Sequence, residues 1–147
     1  MGKAQNKNFI YQNHLVWQGE RKGLLSSSGK PDLEVATPPE FRGHPGRWTP
    51  EDLFVASINI CIMTTFLFFA EKRQLPLLSY KSEGQGKLEK IDNKFMFSEI
   101  QINLQLKVEK GYSVDTVKEI LALSEKNCLI SNSIKAEVVT TCHIEHE

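Results

Sequence analysis

An excess of charge of either sign is missing from this chain, in which 18 Lys and Arg balance 18 Asp and Glu for a formal net charge of zero. Such a balance supplies no net field to hold a phosphate backbone or an anionic membrane surface, so nucleic acid is not expected as a partner. Cysteine is also scarce, at three residues with no C-x-x-C spacing. In a reducing cytosol that pattern points to catalysis or burial and away from a disulfide scaffold. The opening Met1-Gly2-Lys3-Ala4-Gln5-Asn6 has no apolar secretory stretch and no Ser or Thr at the sixth position for myristoylation. A cytoplasmic protein is expected. Internal repeats and low-complexity tracts are absent as well.

What is present suits one globular domain over 1–147, with 40% apolar and 24% charged residues around one core. One uncharged run, 53–70, approaches the length of a membrane span. Ser57, Asn59, Thr64 and Thr65 interrupt it and Glu71-Lys72-Arg73 follows it, so it reads as a soluble helix buried on most sides by its own protein. No membrane partner is expected.

Short apolar runs punctuated by Gly19, Gly23, Gly29 and Pro31 predict strands over 11–18, 24–27 and 33–36, and Pro38-Pro39 then opens a loop. Thr49 can cap a helix whose first residue is Pro50, with Glu51 and Asp52 at the positive end of its dipole. The helix is expected from 50 to about 74, because Pro76 disfavours helical geometry at Leu75. A hairpin over 78–89 and 95–109 should turn at Asp92-Asn93, and its second strand alternates Ile100, Ile102, Leu104, Leu106 and Val108 with polar residues. Ser113 caps a second helix over 114–127, and a last strand runs from 133 to about 143. An α+β domain results.

Cys61 lies inside the apolar helix, where lost hydration raises a thiol's pKa, so a reactive Cys61 needs a cation brought to it. Cys128 falls in step with Val117, Leu121 and Ser124 on the inward stripe of the second helix, so both thiols can face one core. From spacing alone, two small buried hydrophobes are the simpler reading.

Thr49-Pro50-Glu51-Asp52-Leu53-Phe54 with a cysteine ten residues past the Glu, and the segment from Glu125 through Cys128 to Lys135, resemble the OsmC/Ohr family of osmotically inducible and organic hydroperoxide resistance proteins. The similarity extends from about 17 to 139. It implies an α+β fold of curved antiparallel sheets packed around a long buried central helix, in an intertwined homodimer. It also implies a thiol-dependent peroxidase acting on organic hydroperoxides without a cofactor or metal. Cys61 would be the attacking thiol and Cys128 the resolving one, with a dithiol such as a lipoyl protein reopening the disulfide. Cys128 suits the second role near a helix C-terminus, whose dipole end does not favour a thiolate. The same resemblance implies Arg21 as the thiolate's cation and Glu51 as the arginine's holder, with Arg42 in the loop as the reserve for Arg21. Departures from the family pattern are Leu129, where many relatives have proline, Trp48-Thr49 before the Pro-Glu pair, and the bulk of Ile60, Ile62 and Met63 beside Cys61.

Glu51 and Cys61 stand about 15 Å apart along their helix and turned by about 80°. Either one arginine spans the gap on one chain, or an antiparallel partner helix brings its own Glu51 end, which the family's dimers favour. Cys142 reads as a packing residue in phase with Ile134, Ala136, Val138, Thr140 and Ile144, and a metal cluster with His143 and His146 has no suitable spacing. His14 and His44 lack a partner at a telling distance. The aromatic cluster of Phe66, Phe68 and Phe69 reads as core that can also line an apolar entrance. The competing functions are a non-catalytic dimer binding an apolar small molecule and a redox sensor whose output is the disulfide.

Overall fold

The computed structural model describes residues 7–147, so the Met1–Asn6 stretch read above lies outside the described residues. The chain divides into two compact units, Met1–Leu53 and Phe54–Glu147.

In the first unit, β1 (His14–Trp17), β2 (Lys22–Ser26) and β3 (Leu33–Ala36) form an antiparallel sheet in that order. Between β1 and β2 the chain reverses through Gly19 and Glu20 at φ of 94° and 52°, and glycine accepts the first of these at no steric cost. β1 is shorter than the apolar run suggested, and β2 begins two residues earlier, at Lys22. After β3 the loop is tied to the sheet edge: Thr37 N–H donates to the Arg21 carbonyl at 3.1 Å, and Ala36 N–H to that of Trp48 at 3.0 Å. Gly43 sits so close to Thr37 that an added Cβ would stand 1.6 Å from the Thr37 carbonyl oxygen, so only glycine fits this return.

The long helix α1 (Pro50–Lys72) starts where the capping residues said it would. The Asp52 N–H donates to the Thr49 hydroxyl at 3.0 Å, and the Thr49 N–H and hydroxyl donate to the Asp52 carboxylate at 3.1 and 2.8 Å. This reciprocal cap satisfies two amides that a helix start otherwise leaves open.

The second unit carries β4 (Leu77–Ile91), β5 (Lys94–Val108), α2 (Val114–Asn127) and β6 (Glu137–His146). β4 and β5 pair antiparallel around Asp92 and Asn93, whose φ of 49° and 67° match the twist of a two-residue hairpin. β6 lies along β5 in parallel, so this sheet is mixed; the helix α2 supplies the crossover that parallel neighbours need. A 3-10 turn at Ser131–Ser133 delays β6 relative to the apolar pattern. Ser113 caps α2 by accepting from the Asp115 N–H at 3.1 Å.

The core of this unit joins Ile58, Ile62, Phe66 and Ala70 of α1 to the inward side chains of β5 and to Val117 and Ile120 of α2. A spacing of four puts the α1 residues on one stripe. On the other side of α1, Ile60, Leu67 and Phe68 stay 56, 39 and 52% exposed, so the single chain covers this apolar helix on one side. The sheet accepts the helix because β4 carries glycines under it. A Cβ at Gly86 would come within 2.6 Å of Val55 and 2.8 Å of Phe97, and one at Gly84 within 3.3 Å of Asn59.

Candidate active site

Three turns into α1, Cys61 is partly buried against the core, and Cys128, the residue closing α2, is fully buried in it. The fold thus unites the two thiols that the sequence placed on separate helices. Cys61 packs against the buried cluster that contains Cys128. Neither is in a disulfide.

Each thiol has further partners. The Thr65 hydroxyl lies 3.9 Å from the Cys61 sulfur, one helical turn further along α1, and the Ser131 hydroxyl donates to the Cys128 sulfur at 3.1 Å. Burial pushes the Cys61 thiol up. Hydrogen bonds from the Cys128 thiol, the Ile130 N–H, the Thr65 hydroxyl and the Leu129 N–H outweigh that penalty and hold Cys61 below the ordinary thiol range. For Cys128 burial acts in the same upward direction and its bond to Cys61 adds to it, so this thiol is raised despite the help of Ser131. The two thiols are thus shifted in opposite directions.

From the sequence, an active Cys61 needs a cation; within this unit hydrogen bonds lower its pKa. Thr65 and Ser131, whose hydroxyls meet the two sulfurs, escaped sequence reasoning. The first had a signal, since a residue four places on shares a helix face with Cys61. Ser131 is three residues past Cys128 in a turn that the sequence did not define.

The remaining expected site residues belong to the first unit or to its end of α1. Arg21 leaves the β1–β2 turn and donates through Nη1 to the Phe41 carbonyl at 2.7 Å, holding the 3-10 turn at Pro39–Phe41. Arg42 follows that turn at φ of 62° with its side chain exposed. Glu51 keeps its Oε2 buried without a hydrogen-bond partner among the described residues. No ion pair joins Arg21 to Glu51. Cys142, on β6, packs against the core of the second unit.

A groove of about 340 Å³ adjoins the thiols, lined by Thr64, Thr65, Phe68, Phe69, Asn127 and Leu129. Thr65 belongs both to the groove and to the surroundings of the Cys61 sulfur. The rings of Phe68 and Phe69 meet edge to face at 5.2 Å and give it an apolar wall.

Solved structures share this arrangement of elements. An OsmC-like protein of unknown function from Vibrio cholerae matches at a TM-score of 0.81 and 22% identity, over 91% of this chain and all of that one. The OsmC-like protein of Mycoplasma pneumoniae matches at 0.82 and 14% identity, over 95% of this chain and all of that one. For the organic hydroperoxide resistance protein OhrB of Bacillus subtilis the values are 0.66 and 18%, over 92% of this chain and 98% of that one. No curated protein sequence matches the chain. At these identities the structures speak for the fold. The sequence itself matches the OsmC-like protein family over residues 43–143, more than half its length, and the chain is a member of that family.

Proposed function

We propose that this chain is a thiol-dependent peroxidase that reduces organic hydroperoxides. The observation that carries the reading is that two free thiols, Cys61 at the edge of the core and Cys128 within it, meet in one core in a chain of the OsmC-like family. The Cys61 thiolate attacks one peroxide oxygen, the O–O bond breaks, and the departing alkoxide takes a proton to leave as an alcohol. Cys61 is then a sulfenic acid. The Cys128 sulfur attacks it, water leaves, and a Cys61–Cys128 disulfide closes. Two thiols of an external dithiol, such as a reduced lipoyl protein, reopen the disulfide and become oxidised in turn. The groove beside Thr65, with its Phe68 and Phe69 wall, suits the alkyl arm of an organic hydroperoxide and gives hydrogen peroxide no apolar contact.

Arg21 and Glu51 complete the proposal, through the family resemblance, as the cation facing the thiolate and the carboxylate holding that cation. Glu51 brings a buried oxygen that lacks a donor among the described residues, as expected of a group awaiting a partner. The working form is proposed to be a cytoplasmic homodimer. Its support is the face of α1 with Ile60, Leu67 and Phe68 exposed, which a second copy of the chain would cover.

The test is mass and free-thiol count after one equivalent of cumene hydroperoxide. Loss of two thiols, with a mass lower by two hydrogens, is expected. An intact thiol count would leave the groove to the competing reading, a non-catalytic dimer that binds an apolar small molecule.

A further inference from the structure

A hydroxyl on a helix can turn back to a main-chain carbonyl three or four residues earlier. Ser57 does so to the Phe54 carbonyl at 2.7 Å, Thr64 to that of Cys61 at 3.2 Å and Ser124 to that of Ile120 at 2.7 Å. Thr65 departs from this habit. Its hydroxyl bonds to no carbonyl among the described residues and lies instead 3.9 Å from the Cys61 sulfur. Hydrogen bonds between two oxygens close to about 2.7–2.8 Å, so a contact this long leaves the Thr65 proton free to turn to a nearer oxygen.

A step of four and then of three or four residues puts Cys61, Thr65, Phe68 and Phe69 along one face of α1. The groove that Thr65, Phe68 and Phe69 line therefore continues the row from nucleophile to hydroxyl to apolar wall, over about 12 Å of helix. An organic hydroperoxide carries its groups in the same order: a terminal oxygen for a thiolate to attack, an inner oxygen that leaves, and the organic group. With the organic group on the phenylalanine wall and the terminal oxygen at Cys61, the inner oxygen falls at the level of Thr65.

We infer that Thr65 is a catalytic residue whose hydroxyl donates a hydrogen bond to the inner peroxide oxygen, the one that departs with the organic group. The inference deepens the peroxidase reading and rests on it. The Cys61 thiolate gives an electron pair to the terminal oxygen, an S–O bond forms as the O–O bond breaks, and the pair from the broken bond goes to the inner oxygen. Sulfur is oxidised by two electrons and the peroxide is reduced by two. Negative charge thus develops on the inner oxygen, where the Thr65 donor stands ready. Water delivers the proton that completes the alcohol, and Thr65 keeps its own.

The experiment compares two second-order rates at Cys61, oxidation by cumene hydroperoxide and alkylation by iodoacetamide, both followed by peptide mass. Both are measured at a pH where alkylation has reached its plateau, so that thiolate supply is equal in every variant. Thr65→Val keeps the shape of the side chain and removes the donor. It should slow oxidation by about tenfold to a hundredfold, the worth of a hydrogen bond to a charged group, while alkylation stays within about threefold of the wild type. Thr65→Ser, which restores the hydroxyl, should recover most of the oxidation rate. Thr65→Ala repeats the loss on a residue that favours a helix, should Thr65→Val not fold. Oxidation at the wild-type rate in Thr65→Val or Thr65→Ala overturns the inference and leaves the peroxidase reading standing. So does a fall in alkylation as large as the fall in oxidation, which would mark a disturbed sulfur and no contact with peroxide. A wild type whose Cys61 alkylates but never oxidises sinks the peroxidase reading, and the role of Thr65 with it.

Discussion

Cys61 packs at the edge of the core in which Cys128 is fully buried; burial raises the Cys128 thiol, whereas hydrogen bonds outweigh burial at Cys61, so the two shift in opposite directions. The chemical roles divide along the same line. Cys61→Ser should abolish peroxide consumption, whereas Cys128→Ser should complete one turnover and stall with Cys61 as a sulfenic or overoxidised acid. Single-turnover peroxide assays with mass detection check this. Equal loss of the first turnover in both variants would refute the division of roles.

Ser131 donates to the Cys128 sulfur at 3.1 Å and eases its ionisation. In Ser131→Ala the Cys128 pKa should rise further, because the donor that favours its thiolate is gone. The first reduction of peroxide should keep its rate, and closure of the disulfide should slow several-fold. Stopped-flow separation of the two phases reads this directly, and a slowed first phase would contradict it.

Folding lowers the Cys61 pKa, so between its folded and unfolded pKa values the folded state binds fewer protons than the unfolded one. This group's contribution to stability is present above the unfolded pKa and is lost as pH falls through the folded one. Cys128 has the opposite sign: its contribution is full below the unfolded pKa and is lost as pH rises through the folded one. Urea midpoints measured from neutral to alkaline pH under reducing conditions should therefore rise less in Cys61→Ser than in the wild type. In Cys128→Ser they should fall less at the alkaline end.

Gly86 leaves room for Val55 and for Phe97, which stacks on Phe54 at a centroid distance of 4.8 Å. Gly86→Ala should cost about 1–3 kcal/mol, because the new Cβ overpacks a contact already closed by side chains on both sides. Phe66→Ala, at a fully buried position, should cost about 3–5 kcal/mol. Chemical denaturation measures both, and a neutral Gly86→Ala would show that Val55 and Phe97 yield freely.

Sedimentation at micromolar concentration should give a dimer for the wild type. Phe68 is half exposed in the single chain, so Phe68→Glu should leave the monomer folded while shifting the protein toward it. A monomeric wild type would remove the proposed assembly.

Local chemistry was legible in the sequence. Thr49, Pro50 and Asp52 fix the start of α1 by satisfying its free amides, and Ser113 does the same for α2. Alternation from Ile100 to Val108 marks β5, and Asp92-Asn93 sets its hairpin, because side-chain period and permitted φ are properties of neighbouring residues. Cys61 and Cys128 stood out by helix phase and by resemblance. Only the tertiary structure decided that β6 runs parallel to β5, since pairing direction depends on where the α2 crossover delivers the chain. It also decided what surrounds the Cys61 sulfur. Cys128 lies nearly seventy residues further along the chain, and the turn that carries Ser131 to its sulfur is set by packing after α2, so no local pattern of side chains announces that this thiol will share a core with Cys61.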